Sequence, residues 1–178
     1  MSTLVITRAQ RRGIVGAATF LLLSAFLAVV LLGGSELASS EDSELPTDEL
    51  ALFDGGSTTL AGLTDGPLVI NFWASWCPAC AAELPEIQAV ATRFGDDVTV
   101  VGIANTDERG PALALASDVG LTYTLADDPT GELFRKLDLF AMPSTLFVTA
   151  DGRIHEVFGG QLDEEALVSR IESLLEAS

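Results

Sequence analysis

The chain has 178 residues and a formal net charge of −17, a length that fits one compact domain once an apolar N-terminal stretch is set aside. Arg8, Arg11 and Arg12 precede that stretch and all 26 acidic residues follow it, so from Glu36 onward 6 basic residues face 26 acidic ones. A surface of that sign repels nucleic acid and anionic lipid head groups, which argues against either as a ligand of the soluble part.

Residues 1–12 form a basic N-terminus. Gly13 to Leu32 follow without a charge, and at about 1.5 Å per residue they are long enough to cross a hydrocarbon core of about 30 Å. Residues 13–34 are therefore expected to be a transmembrane signal anchor. Basic residues before the run and acidic residues after it leave the N-terminus in the cytoplasm and the domain outside, in the cell membrane as a single-pass protein. Cleavage at the small residues Gly33-Gly34-Ser35, giving a secreted form, is the competing outcome. Residues 35–48, rich in Ser, Glu and Asp, read as a flexible acidic tether, and residues 49–178 as the folded domain.

Within that domain, Ala51–Phe53 and Thr58–Leu60 flank the turn signal Asp54-Gly55-Gly56 and predict a small leading hairpin. Leu68 to Trp73 is an almost continuous apolar run, the pattern of a central strand buried on both faces. Pro78 to Phe94 carries Leu84, Ile87, Val90, Ala91 and Phe94 at helical spacing, with Pro78 suited to the first turn and Pro85 predicting a kink. A strand is expected over Val98–Ala104, a helix over Pro111–Val119 ended by Gly120, a short strand over Thr122–Leu125 and a short helix over Pro129–Leu137. Ser144–Thr149 and Arg153–Phe158 form a hairpin around Asp151-Gly152, and Asp163–Leu175 closes the chain as a helix. This order implies an α/β fold whose mixed sheet is covered by helices on both faces.

Cys77-Pro78-Ala79-Cys80 falls where the strand ending at Trp73 gives way to the helix. At a helix N-terminus, free backbone N–H groups and the helix dipole favour a thiolate, and such cysteines have pKa values lowered to roughly 3.5–7.5. The thiolate is the nucleophile of disulfide exchange, and Cys80, one turn on, is placed to resolve the mixed disulfide that Cys77 forms. A structural zinc site lacks ligands, since the chain has two Cys and one His. An inert disulfide closing so short a loop would gain little entropy. Trp73 reads as core and Trp76 as a partly exposed platform beside Cys77 that contacts a partner. His155 reads as an outward-facing strand residue.

The segment Asn71-Phe72-Trp73-Ala74-Ser75-Trp76-Cys77-Pro78-Ala79-Cys80 resembles the active-site segment of the thioredoxin superfamily, and the details are similar to its extracytoplasmic TlpA, ResA and CcmG-like redoxin branch. The similarity runs from about Leu50 to the C-terminus and implies a thioredoxin fold preceded by the transmembrane helix. Thioredoxin carries a buried Asp where this chain has Asn71, whereas the TlpA-like branch has a Glu three residues after the second Cys, here Glu83. The resemblance gives Glu83 the shuttling of the Cys80 proton, with a raised pKa if the carboxyl is buried. It further implies a cis bond between Met142 and Pro143, packed against the dithiol, with the Met142 backbone offered to an extended substrate. Residues 104–128 match the insertion of that branch.

The resemblance implies an enzyme, a thiol-disulfide oxidoreductase with no cofactor beyond the redox-active disulfide Cys77–Cys80. Its site is Cys77, Cys80 and Glu83 for catalysis and Trp76, Met142 and Pro143 for substrate. It implies reduction of disulfides in exported proteins, apocytochrome c among them, in a cytochrome c-type biogenesis role, and a CcdA- or DsbD-like membrane protein as electron donor. Two rivals stand beside it: an oxidant that donates its disulfide to folding exported proteins, and a non-catalytic metal-binding or assembly module.

Overall fold

The computed structural model describes residues 45–63 and 65–178; the expected anchor at 13–34 and most of the tether lie outside them. Seven strands, β1 Glu49–Leu52, β2 Ser57–Thr59, β3 Leu68–Trp73, β4 Thr99–Asn105, β5 Thr124–Asp128, β6 Ser144–Val148 and β7 Ile154–Gly159, form one sheet in the order β2-β1-β5-β4-β3-β6-β7. β3 runs parallel to β4, and β4 to β5, while the β1–β2, β1–β5, β3–β6 and β6–β7 pairs are antiparallel. The helices are α1 Pro78–Arg93, α2 Arg109–Val119, α3 Glu132–Lys136 and α4 Glu164–Ala177, with a 3₁₀ turn at Ala61–Leu63.

All six residues of β3 are buried, because the pleat sends alternate side chains into two different cores. Leu68, Ile70 and Phe72 pack with Leu50, Leu60, Val101, Ile103, Leu133 and Leu146 on one face. On the other, Val69 joins Ile87 and Val90 of α1 and Leu167, Ile171 and Leu174 of α4, while Trp73 packs with Ala74, both cysteines, Leu84, and Ala112 and Ala116 of α2. The sheet is thus covered on both faces, as the element order requires.

The caps explain the boundaries. Cys77 is the N-cap of α1, Pro78 occupies its first turn, and Pro85 lies inside the helix without ending it. Gly120 closes α2 at φ 78°, in the left-handed region that glycine enters without a Cβ clash. Asp163 caps α4 through the Ala166 N–H at 2.9 Å.

Three elements depart from the apolar pattern. β5 begins at Thr124 rather than Thr122, because Thr122 is held by Gln88 of α1 through its N–H and hydroxyl. β5 then continues into Asp127 and Asp128, whose carboxylates find local partners: Arg109 pairs with Asp127, and Asp128 accepts from the N–H groups of Glu132 and Phe134. That second set starts α3 at Glu132 instead of Pro129, after Gly131. The leading hairpin begins two residues early, at Glu49, and extends the main sheet, since Ala51 and Leu52 pair with Asp127 and Ala126.

Candidate active site

β3 ends at Trp73 and the chain turns through Ala74, Ser75 and Trp76 into α1. The Cys77 N–H donates to Ala74 O at 3.1 Å, and Cys77 Sγ accepts from the Cys80 N–H at 3.2 Å, the position of an N-capping oxygen. The sequence therefore delivers the first sulfur to the positive end of the helix. Cys77 and Cys80 form a disulfide, their Cα atoms 5.2 Å apart. Cys77 is 6% exposed and Cys80 wholly buried, so only the first can meet a partner directly.

Thr106 and Asp107, just after β4, brace the turn. Asp107 accepts from the Ser75 N–H at 2.5 Å and from the Ser75 hydroxyl at 2.8 Å. Trp76 is 58% exposed, yet its Nε1–H donates to Thr106 O at 3.1 Å, which orients the indole. Thr106 sits at φ 48°, a left-handed conformation that β-branched residues seldom adopt.

One turn beyond Cys80 on the same helix, Glu83 has no solvent exposure. Its Oε1 accepts from the Leu162 N–H at 2.8 Å and its Oε2 from Asn71 Nδ2 at 2.9 Å. Burial pushes the carboxyl up to about 6 against the lowering effect of those two hydrogen bonds. Asn71 also donates to Thr145 Oγ1 at 3.1 Å, the residue directly opposite it on β6. The Tyr123 hydroxyl is buried with no hydrogen-bond partner among the described residues, and its pKa is raised by burial and by the negative charge of Glu83.

The Met142–Pro143 bond is cis. Pro143 is buried and its carbonyl accepts from the Gly160 N–H at 2.8 Å. Met142 is half-buried against the cluster that holds both cysteines, and its sulfur accepts from Asn105 Nδ2 at 3.8 Å. The structure thus gathers Cys77, Cys80 and Met142 in one cluster, with Glu83 on the same helix as both sulfurs and Trp76 beside Cys77. His155 is exposed on β7.

Asp107, Thr145 and Tyr123 escaped the sequence reading, and Asn71 entered it only as a replacement for an Asp. A polar residue inside an apolar strand was the available signal for Asn71. Thr145 and Tyr123 carried none, since a hydroxyl in a strand is ordinary until its neighbours are known.

The chain is similar in sequence and in fold to known proteins. A sequence model of the Redoxin family matches residues 40–175. The chain is 35% identical over 125 residues to a thiol:disulfide interchange protein DsbE homolog of Paracoccus denitrificans, covering 65% of this chain and 68% of that one. It is 32% identical over 155 residues to thiol:disulfide interchange protein DsbE of Pseudomonas fluorescens, covering 85% of each. Among solved structures, a secreted Mycobacterium tuberculosis disulfide oxidoreductase homologous to E. coli DsbE superimposes with a TM-score of 0.67 at 27% identity, over 72% of this chain and 96% of that one.

Proposed function

The chain belongs to the redoxin family and is a thiol-disulfide oxidoreductase of thioredoxin-like fold, and from that premise we propose that it reduces disulfides in exported proteins while tethered to the outer face of the membrane by residues 13–34. Cys77 is the nucleophile. Its thiolate attacks one sulfur of the substrate disulfide, the substrate S–S bond breaks, and the departing substrate thiolate takes a proton from water. Cys80 then gives its proton to the Glu83 carboxylate and attacks Cys77 Sγ. The Cys77–Cys80 bond forms, the mixed disulfide breaks, and the second substrate thiolate leaves and is protonated; two electrons have passed to the substrate.

Trp76, Met142 and Pro143 hold the substrate chain across Cys77, and no cofactor takes part beyond the dithiol itself. Apocytochrome c is the substrate class that the family resemblance implies; the DsbE relatives and the HelX protein of Rhodobacter capsulatus, 31% identical over 119 residues, are thiol:disulfide interchange proteins. A CcdA- or DsbD-like membrane protein returns the electrons. The observation that carries the reading is a sulfur at a helix N-terminus, 6% exposed where its partner is wholly buried, backed by a buried carboxyl one turn beyond that partner.

The test is equilibration of the protein with glutathione buffers of known potential. A midpoint below about −200 mV makes it a reductant; one near about −120 mV makes it an oxidant of folding proteins, the rival direction.

A further inference from the structure

The buried carboxyl has neighbours that the reaction above leaves without a task. Asn71 Nδ2 spends both hydrogens, on Glu83 Oε2 at 2.9 Å and on Thr145 Oγ1 at 3.1 Å, while Asn71 Oδ1 is buried with no donor among the described residues. That arrangement suits an ionised carboxylate alone. Glu83 Oε1 is committed to the Leu162 N–H, which cannot accept, so a proton arriving from Cys80 settles on Oε2, facing the amide. Two donors would then confront each other, and of the bonds Asn71 makes only that to Thr145 would survive. A half-turn of the amide replaces Nδ2 by Oδ1, which accepts from the Glu83 O–H and from the Thr145 hydroxyl, since a threonine hydroxyl donates as readily as it accepts. Two bonds are kept instead of one.

We propose that Asn71 is a positioning residue whose side-chain amide turns over each time Glu83 gains or loses the Cys80 proton, with the Thr145 hydroxyl reversing its role in step. The amide thereby serves both protonation states of Glu83, and it passes the change to β6, which starts at the residue after cis-Pro143. Among the described residues, the titratable group that interacts with Glu83 from another element is Tyr123, in the segment before β5, and Cys80 lies one turn before Glu83 on its own helix. Among the described residues, β3 and β6 contribute Asn71 and Thr145 to this hydrogen-bond network, and the segment before α4 contributes the Leu162 N–H. The use of this motion in turnover rests on Glu83 as proton acceptor for Cys80; the motion itself rests only on the hydrogen bonds.

The test follows the Asn71 side-chain ¹⁵N–H resonances of the full chain in detergent micelles, in the disulfide form, from pH 4.5 to 8. They are expected to shift with the same midpoint as the Glu83 carboxyl carbon, and to be pH-independent in Glu83→Gln. A carboxyl that titrates beside a stationary Asn71 signal overturns the proposal. If Glu83→Gln leaves ring closure unslowed, the proton-acceptor reading fails separately, and the Asn71 signals still decide the motion.

Discussion

The two faces of β3 solve opposite problems with alternate residues of one six-residue strand. Leu68, Ile70 and Phe72 enter a wholly apolar core, where every buried carbon lowers the free energy of the folded state. Asn71, on the other face, enters a polar layer with Glu83 and Thr145, just inside the wall of small and apolar side chains around the dithiol. Holding a carboxyl there costs stability, and that cost is what lifts its pKa to about 6. One face holds the fold together and the other keeps a buried carboxyl on the helix that carries the dithiol.

Substitutions on the two faces should therefore separate stability from chemistry. Cys77→Ser is expected to reduce disulfide exchange to the uncatalysed rate in an insulin or model-peptide reduction assay, with a denaturation midpoint close to that of the reduced parent. Phe72→Ala, on the apolar face, removes a fully buried ring that meets Phe134 edge-on at 5.5 Å. It is expected to cost about 3–5 kcal/mol in denaturant unfolding while leaving the Glu83 midpoint in place. A Phe72→Ala protein in which that midpoint moved would show that the two faces are not independent.

Glu83 itself gives the next largest effect. Its folded pKa of about 6 lies above the ordinary value of 4.5, so between those values the folded state binds more protons than the unfolded chain. Stability from this group is full below about 4.5, falls by about 2 kcal/mol as pH rises through 6, and is flat above. Urea unfolding of the disulfide form, in which the cysteines do not titrate, should show that fall, and Glu83→Gln should remove it. Trp76→Ala is the smallest change. With 58% of Trp76 exposed, unfolding should shift by less than about 0.5 kcal/mol, while KM for a protein disulfide rises several-fold with kcat little altered.

The same contrast explains what was legible in the sequence. The apolar face announces itself, because Leu68 to Trp73 can only be a doubly buried strand, and the helix starting at Pro78 then fixes Cys77 at its N-terminus. The dithiol, Glu83 and the cis bond at Pro143 could be expected from the residues together with their resemblance to a family. The polar layer could not be read in that way. The register Asn71↔Thr145 joins residues far apart in the chain, and the Leu162 N–H that holds Glu83 is a backbone group with no sequence signature. The end of β5 was hidden for a related reason, since Asp127 and Asp128 look like loop residues until Arg109 and the start of α3 supply their partners.

The measurement that bears most directly on the account is the rate at which Cys80 closes the ring onto a preformed mixed disulfide at Cys77, followed by stopped flow from pH 5 to 9 in the parent and in Glu83→Gln. With Glu83 as the proton acceptor, the parent rate rises with a midpoint near 6, the carboxyl's own value. The variant is then slower by about a hundredfold at pH 7 and rises only with ionisation of the thiol. Superimposable profiles for the two proteins would contradict the account.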